Sequence, residues 1–223
     1  MTLILVLLMF AIFIGIDYLR SRHAMKQMAV EPAKTATPRD VHAGEYVEGF
    51  LVPANVRYHP GHAWAQRERK RLMRVGVDEF GAALLGNIDH VEMPKPGRWV
   101  RQGQPAWSFT RNGEKTEMVS PVEGEIVEVN QEVEKNPSLL RKDPFGQGWL
   151  MTVHVPDEES VQRNFLPVHL VKAWVRDCAE RLFAKQPQLA GPVMADGGRL
   201  IEDFAAGLPG TNWRELTQEF FLQ

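Results

Sequence analysis

Two histidines, His59 and His62, lie three residues apart in the stretch HPGH. Of the histidine spacings in the sequence, this one is the most similar to that of two metal ligands. Imidazole nitrogens bind Zn²⁺, but a zinc site in a protein uses three or four protein ligands. The stretch contains no third ligand beside the pair, so we predict that no metal binds here.

Other catalytic signatures are absent from the sequence. The chain has no nucleophile elbow, no P-loop, no dinucleotide-binding glycine pattern and no paired carboxylates with an obvious geometry. Cys178 is the only cysteine, which excludes an intrachain disulfide and a CxxC redox motif. We therefore predict that the protein is not an enzyme. The net charge of -2 gives no general attraction for nucleic acid, which we do not expect as a partner.

A basic run, RERKR, places Arg67, Arg69, Lys70 and Arg71 within five residues. One interpretation is a solvated hairpin turn. The other is a contact with anionic lipid headgroups or with an acidic partner surface, which contributes about 1 kcal/mol per basic residue near a membrane. The sequence leaves both open.

Asn112 and Gly113 predict a two-residue hairpin turn, because both residues tolerate the positive φ that a type I′ turn requires. Such a turn pairs Arg111 with Glu114 and Thr110 with Lys115. The side chain of Lys115 is then expected on the flank of a strand and not at the tip of the hairpin.

The N-terminus is an unbroken apolar stretch from Leu3 to Ile16. As a helix, residues 1–19 would extend about 28 Å, close to the thickness of a bilayer core. Basic residues follow this stretch and none precedes it, which favours an uncleaved anchor with its N-terminus outside. We predict a transmembrane anchor over residues 1–20 in a bacterial-type inner membrane and a tether over 21–45, with the rest of the chain in the cytoplasm.

Two further segments follow the tether. Residues 46–156 contain short alternating runs punctuated by glycine, which predict a β-domain with one short helix in DEFGAALLG. In residues 157–223, apolar residues recur at helical spacing from Val168 to Leu182, and NWRELTQEFF predicts a second helix. These C-terminal helices either cover the β-domain or dock on a partner.

The β-region resembles the glycine cleavage system H protein, a member of the lipoyl/biotinyl-carrier fold. The resemblance rests on four stretches, residues 52–64, 75–97, 120–130 and 136–153. It implies a mainly β barrel-sandwich hybrid in which His62 and Trp64 serve packing. We expect the tryptophans of this region to supply much of the buried area; they are Trp64, Trp99, Trp107 and Trp149.

The resemblance also implies where a lipoyl group would be attached. In the family, the lipoyl-bearing lysine stands at a hairpin tip, seven residues before the serine of a Ser-Pro pair. Counting back from Ser120 reaches Gly113, while the nearest lysine is Lys115, in the sequence Glu-Lys-Thr. The tip formed by Asn112 and Gly113 thus replaces the expected attachment site.

Two hypotheses follow. The leading one is a non-catalytic, membrane-anchored subunit without a cofactor, which binds protein partners of a membrane-associated complex. The alternative is a working carrier that shuttles an intermediate on a lipoyl group attached to Lys115. The partner complex and the oligomeric state are not specified by the sequence.

Overall fold

The computed structural model of this 223-residue chain describes residues 9, 12–16, 18, 44–185 and 213–221. The chain divides into two compact units, Met1–Arg39 and Asp40–Gln223. In the first unit, residues 9, 12–16 and 18 are helical. Across the described part of the chain, no helix combines the length and the apolar character needed to span a bilayer. The anchor predicted over residues 1–20 and the tether over 21–45 fall largely outside the described residues, and the anchor has no support from the structure.

The second unit contains eleven strands and six α-helices within its described residues. The strands are β1 (Gly44–Val47), β2 (Phe50–Pro53), β3 (Arg57–Tyr58), β4 (Ala63–Arg69), β5 (Leu72–Val77), β6 (His90–Glu92), β7 (Trp99–Val100), β8 (Pro105–Arg111), β9 (Glu114–Val119), β10 (Gly124–Val129) and β11 (Trp149–His154). The helices are α1 (Glu79–Leu85), α2 (Gln131–Lys135), α3 (Leu139–Lys142), α4 (Glu158–Gln162), α5 (Val171–Lys185) and α6 (Trp213–Phe221), with a 3₁₀ helix at Val168–Leu170.

The strands form three sheets. Six of them pair in the order β3-β4-β5-β11-β10-β7, three in the order β6-β8-β9, and β1 pairs with β2. All of the paired strands run antiparallel. The mainly β architecture with a short helical insertion and C-terminal helices, predicted from the sequence, is confirmed.

Trp64 lies on β4, between β3 and β5 of the six-stranded sheet, and is fully buried. Its indole Nε1–H donates to the carbonyl oxygens of Val77, at 3.0 Å, and Pro144, at 3.1 Å. The ring lies against Gly76, where a Cβ atom would stand only 2.7 Å from the indole carbons. Glycine at this strand position therefore makes room for the largest side chain of the core.

The helical insertion α1 lies within DEFGAALLG, where the sequence predicts one short helix. The Asp78 carboxylate accepts a hydrogen bond from the backbone N–H of Gly81 at 2.7 Å and so caps the N-terminus of α1. The helix ends at Gly86, whose φ is 67°. Between these ends the helix buries Phe80, Leu84 and other side chains against the β-domain.

Helix α5 follows the predicted apolar stripe except at its start. Val171, Val175, Cys178 and Leu182 are buried, as expected for one face of a helix. Val168 is 57 % exposed, because it belongs to the 3₁₀ helix before α5 and its side chain does not follow the same face. The expectation that the stripe begins at Val168 is therefore wrong.

Helix α6 packs on strand β9 and helix α1 of its own domain. The indole N–H of Trp213 donates to the carbonyl oxygen of Leu84 at 3.2 Å. The hydroxyl of Thr116 on β9 donates to the hydroxyl of Thr217 at 2.9 Å, in a buried position. The described part of the C-terminal segment therefore covers the β-domain, which the sequence left undecided.

The packing of α6 predicts a stability effect. Leu216 is 2 % exposed, so Leu216→Ala is expected to lower the free energy of unfolding by about 2–4 kcal/mol. Gln218→Ala, on the exposed side of the same helix, is the matched control and should change it by less than about 0.5 kcal/mol. Urea unfolding of the full chain measures both. Equal values for the two variants would show that α6 does not dock on this domain in solution.

Candidate functional site

The candidate site is the hairpin of β8 and β9. Its two turn residues, Asn112 and Gly113, have φ values of 50° and 81°, as in a type I′ turn. Arg111 pairs with Glu114 and Thr110 with Lys115, which is the register that the turn predicts. The backbone N–H of Asn112 donates to Asp89 at 2.7 Å and so holds the tip against the chain that precedes β6.

Lys115 lies on the flank of this hairpin, with 51 % of its side chain exposed. Its Nζ donates to Glu92 Oε2 at 2.7 Å, and the same carboxylate accepts a hydrogen bond from the Ser108 hydroxyl at 3.2 Å. The hydrogen bond to Glu92 raises the pKa of Lys115, and the bonds from Lys115 and Ser108 lower the pKa of Glu92. Lys115 is therefore an accessible ammonium group, two residues away from the turn.

A cleft of about 250 Å³ opens beside Lys115. Strands β6 to β9, together with the loops before and after β7, form its walls. Trp107 lines it and is 2 % exposed, whereas Trp99 at its edge is 49 % exposed. The expectation that Trp99 is buried with Trp64 and Trp107 is wrong, because its two-residue strand lies at the edge of the six-stranded sheet.

The basic run forms the exposed turn between β4 and β5, and α4 partly neutralises it. The Arg67 guanidinium lies 3.3 Å from the Glu158 carboxylate, which also accepts a hydrogen bond from the backbone N–H of Arg71. Lys70 is exposed at the turn, and Arg69 ends strand β4. The contact of this run with a membrane or a partner stays a prediction.

His62 is fully buried and packs between aromatic rings. Its imidazole stacks on Phe80 at 4.3 Å and on Trp174 at 4.6 Å between ring centroids. Its Nδ1 lies 3.0 Å from the Asp78 carboxylate that caps α1. Within residues 9–221 as far as they are described, no group of three or more histidine, cysteine or acidic side chains is placed to hold a metal.

His59 and Cys178 are held in their uncharged forms. His59 is 8 % exposed, and its Nδ1 accepts a hydrogen bond from the Gly61 N–H at 3.1 Å. Burial, and then the nearby charge of His62, lower the pKa of His59 to about 4. Burial raises the pKa of the Cys178 thiol to about 12, which leaves almost no nucleophilic thiolate at neutral pH.

Two features of the site were not predicted from the sequence. One is the cleft, which brings together β6, β7 and the hairpin from separate parts of the chain. The other is the burial of Thr116 beneath Thr217, which are 101 residues apart. A possible indication was the alternation of charged and uncharged residues in EKTEMV, which places Thr116 and Met118 on the face opposite Lys115.

The fold is a mainly β domain with C-terminal helices, and its candidate site is a tight hairpin beside a cleft. The glycine cleavage H-protein family model matches residues 56–174, and the chain belongs to this family. The chain is 32 % identical over 106 residues to a glycine cleavage system H protein of Mycobacterium leprae, covering 48 % of this chain and 80 % of that protein. It is 36 % identical over 107 residues to one of Thermobifida fusca, covering 48 % and 84 %.

A solved structure is similar as well. It is a glycine cleavage system H protein from Mycobacterium marinum, with 26 % sequence identity, a TM-score of 0.44, and coverage of 47 % of this chain and 87 % of that chain. Family members are lipoyl carriers and not catalysts, which agrees with the prediction that the chain is not an enzyme. Family membership supports an H-protein-like lipoyl-carrier domain, and it favours the carrier alternative over the assembly subunit that we expected first.

The lowered pKa of His59 predicts a pH-dependent stability. Between pH 6.5 and about 4, His59 is protonated in the unfolded chain but neutral in the folded chain, where it is buried. The free energy of unfolding therefore falls as the pH falls through this window. His59→Asn, whose side-chain oxygen can still accept from Gly61, should remove about 2–3 kcal/mol of this fall. Gln218→Ala, which changes an exposed residue without a titratable group, is the control and should leave the fall unchanged. Urea unfolding at several pH values measures the slopes; identical slopes for both variants would contradict the assignment.

Proposed function

We propose that the protein is a lipoyl carrier of the H-protein type and that Lys115 receives the lipoyl group. Family membership over residues 56–174 supports the carrier function. We choose Lys115 as the attachment site because its side chain is exposed on the hairpin and lines the cleft. Lys115 is the single lysine between residues 105 and 119.

The surroundings of Lys115 fit an attached group. The side chain is half exposed, so a modifying enzyme can approach it without unfolding the hairpin. Its ion pair with Glu92 is solvent-exposed, and exposed pairs open readily. The cleft beside the amine provides space for an attached arm to lie against the domain.

Glu92 controls the reactivity of the amine in this proposal. Lipoylation forms an amide bond, and the amine must lose its proton before it attacks an activated carboxyl group. The hydrogen bond from Lys115 to Glu92 favours the charged form and so opposes this step. Once the amide has formed, Glu92 retains its hydrogen bond from Ser108.

A bound lipoyl group would supply sulfur atoms that carry an intermediate between partner enzymes. The chain itself contributes the attachment amine, the tight turn that holds the hairpin, and a surface for those partners. We propose that the partners are enzymes that act in sequence on the carried intermediate. Placement of the domain on the cytoplasmic side of an inner membrane, through residues 1–20, remains part of this proposal.

A second candidate function is the unmodified assembly subunit, and one observation favours it. Gly113 stands at the position of the family's attachment lysine, and its turn contains no amine. In that case the hairpin and the cleft bind partner proteins directly. Deletion of residues 163–223 is not a clean test of this function, because it also removes the buried side chains of α5 and α6 and exposes the surface that they cover.

Intact mass spectrometry of protein from a lipoate-competent host separates the two functions. The carrier function predicts one lipoyl increment on the native chain and none on Lys115→Ala. Glu92→Gln should be modified at least as completely as the native chain, because it no longer holds the proton on Lys115.

Gly113→Lys/Lys115→Ala is the control, since it restores an amine at the family position. An unmodified native chain together with a modified control would reject the carrier function and support the assembly subunit. If only the native chain is modified, the attachment site has moved to Lys115. Modification that persists in Lys115→Ala would reject the assignment of this residue.

A further inference from the structure

The cleft beside Lys115 has a second wall that the carrier function does not use. This wall is formed by Arg98, Trp99 and Arg101, which we call the Arg-Trp-Arg rim. We propose that the rim docks a segment of a partner protein that has acidic residues on either side of an apolar side chain. The inference goes beyond the carrier function, because it does not require a lipoyl group.

The two arginines of the rim can bind an acidic partner. Arg98 and Arg101 are both exposed, and in the described part of the chain neither side chain has a carboxylate partner. Arg67, Arg176 and Arg181, by contrast, each pair with an acidic residue of this domain. An arginine without such a partner offers a planar donor pair that matches a carboxylate.

The opposite wall, with two carboxylates and one ammonium group, offsets only part of this charge. Glu92 and Glu117 lie there, but both interact with the ammonium group of Lys115. Glu92 also accepts the hydrogen bond from Ser108. The carboxylates of this wall are therefore engaged within the domain, and the positive charge of the rim faces the cleft.

The rim also presents apolar surface. Trp99 is 49 % exposed, although its neighbour Val100 is buried at 6 %. Beneath it, Trp107 lines the cleft, and its buried indole N–H has no acceptor among the described residues.

Charge and shape together identify the occupant. Tryptophan and arginine are the residues most enriched where protein partners bind tightly. The exposed ring of Trp99 offers an apolar contact, and a cleft of about 250 Å³ has room for a side chain but not for a folded element. Carboxylates on either side of that side chain would meet Arg98 and Arg101, so an extended acidic segment fits and a basic one does not.

The test uses the full chain, prepared without lipoate so that Lys115 is unmodified, and short fluorescein-labelled peptides. One set has Asp or Glu on both sides of a leucine, and the other has Lys at the same positions. Fluorescence anisotropy measures the dissociation constants at low and at high salt. The acidic set should bind, and binding should weaken with salt, while the Lys set should not bind.

Arg98→Glu/Arg101→Glu should weaken binding of the acidic set by roughly tenfold or more. Trp99→Ala should also weaken it, with less effect on its salt dependence. Lys142→Glu/Arg163→Glu makes the same change of charge at exposed positions outside the cleft and is the control. Equal binding by this control and the rim variant, equal binding of both peptide sets, or no binding of the acidic set would overturn the proposal. Because the protein in this test is unmodified, failure of the docking proposal would leave the carrier function untouched.

Discussion

The two-residue turn at Asn112 and Gly113 is the constraint on which the site depends. Because side chains alternate along a strand, a tight turn that fixes the register also fixes which residues of β9 face outward. Lys115 and Glu117 are exposed, whereas Thr116 and Met118 are buried. A shift of one residue would turn Lys115 into the core and expose the threonine that now contacts α6.

The buried face of β9 is covered by a helix that lies beyond the part of the chain matched by the family. The match ends at residue 174, and α6 begins at Trp213. Thr217 accepts the hydrogen bond from Thr116, and Phe220 packs on Phe80 of α1 at 5.1 Å between ring centroids. With one face of β9 closed in this way, the groups available to a partner are those on the cleft side, Lys115 and the Arg-Trp-Arg rim. The proposed attachment lysine and the proposed docking rim therefore lie around the same cleft.

The buried polar groups of the domain serve its architecture. Asp78 caps α1 and also holds His62, so one carboxylate links the helical insertion to the loop before β4. His62 in turn contacts Trp174 of α5 and Phe220 of α6. The elements added at the C-terminus are thus attached to the β-domain through the same histidine that resembled half of a metal site. Its role is packing, for which a stacked ring between aromatic neighbours is sufficient.

The sequence by itself determined the features that depend on neighbouring residues. Local backbone preferences predict the turn at Asn112 and Gly113 and the short helix α1. Periodicity predicts the apolar stripe of α5. Both kinds of information are present in the local sequence. The tertiary structure alone decided features set by contacts between distant segments. Trp64 and Trp99 are the same residue type, yet one is enclosed between strands and the other lies at a sheet edge, because burial depends on which strands become neighbours. The cleft and the packing of α6 on β9 depend on tertiary contacts for the same reason. A local sequence pattern does not specify how segments far apart in the chain pack together.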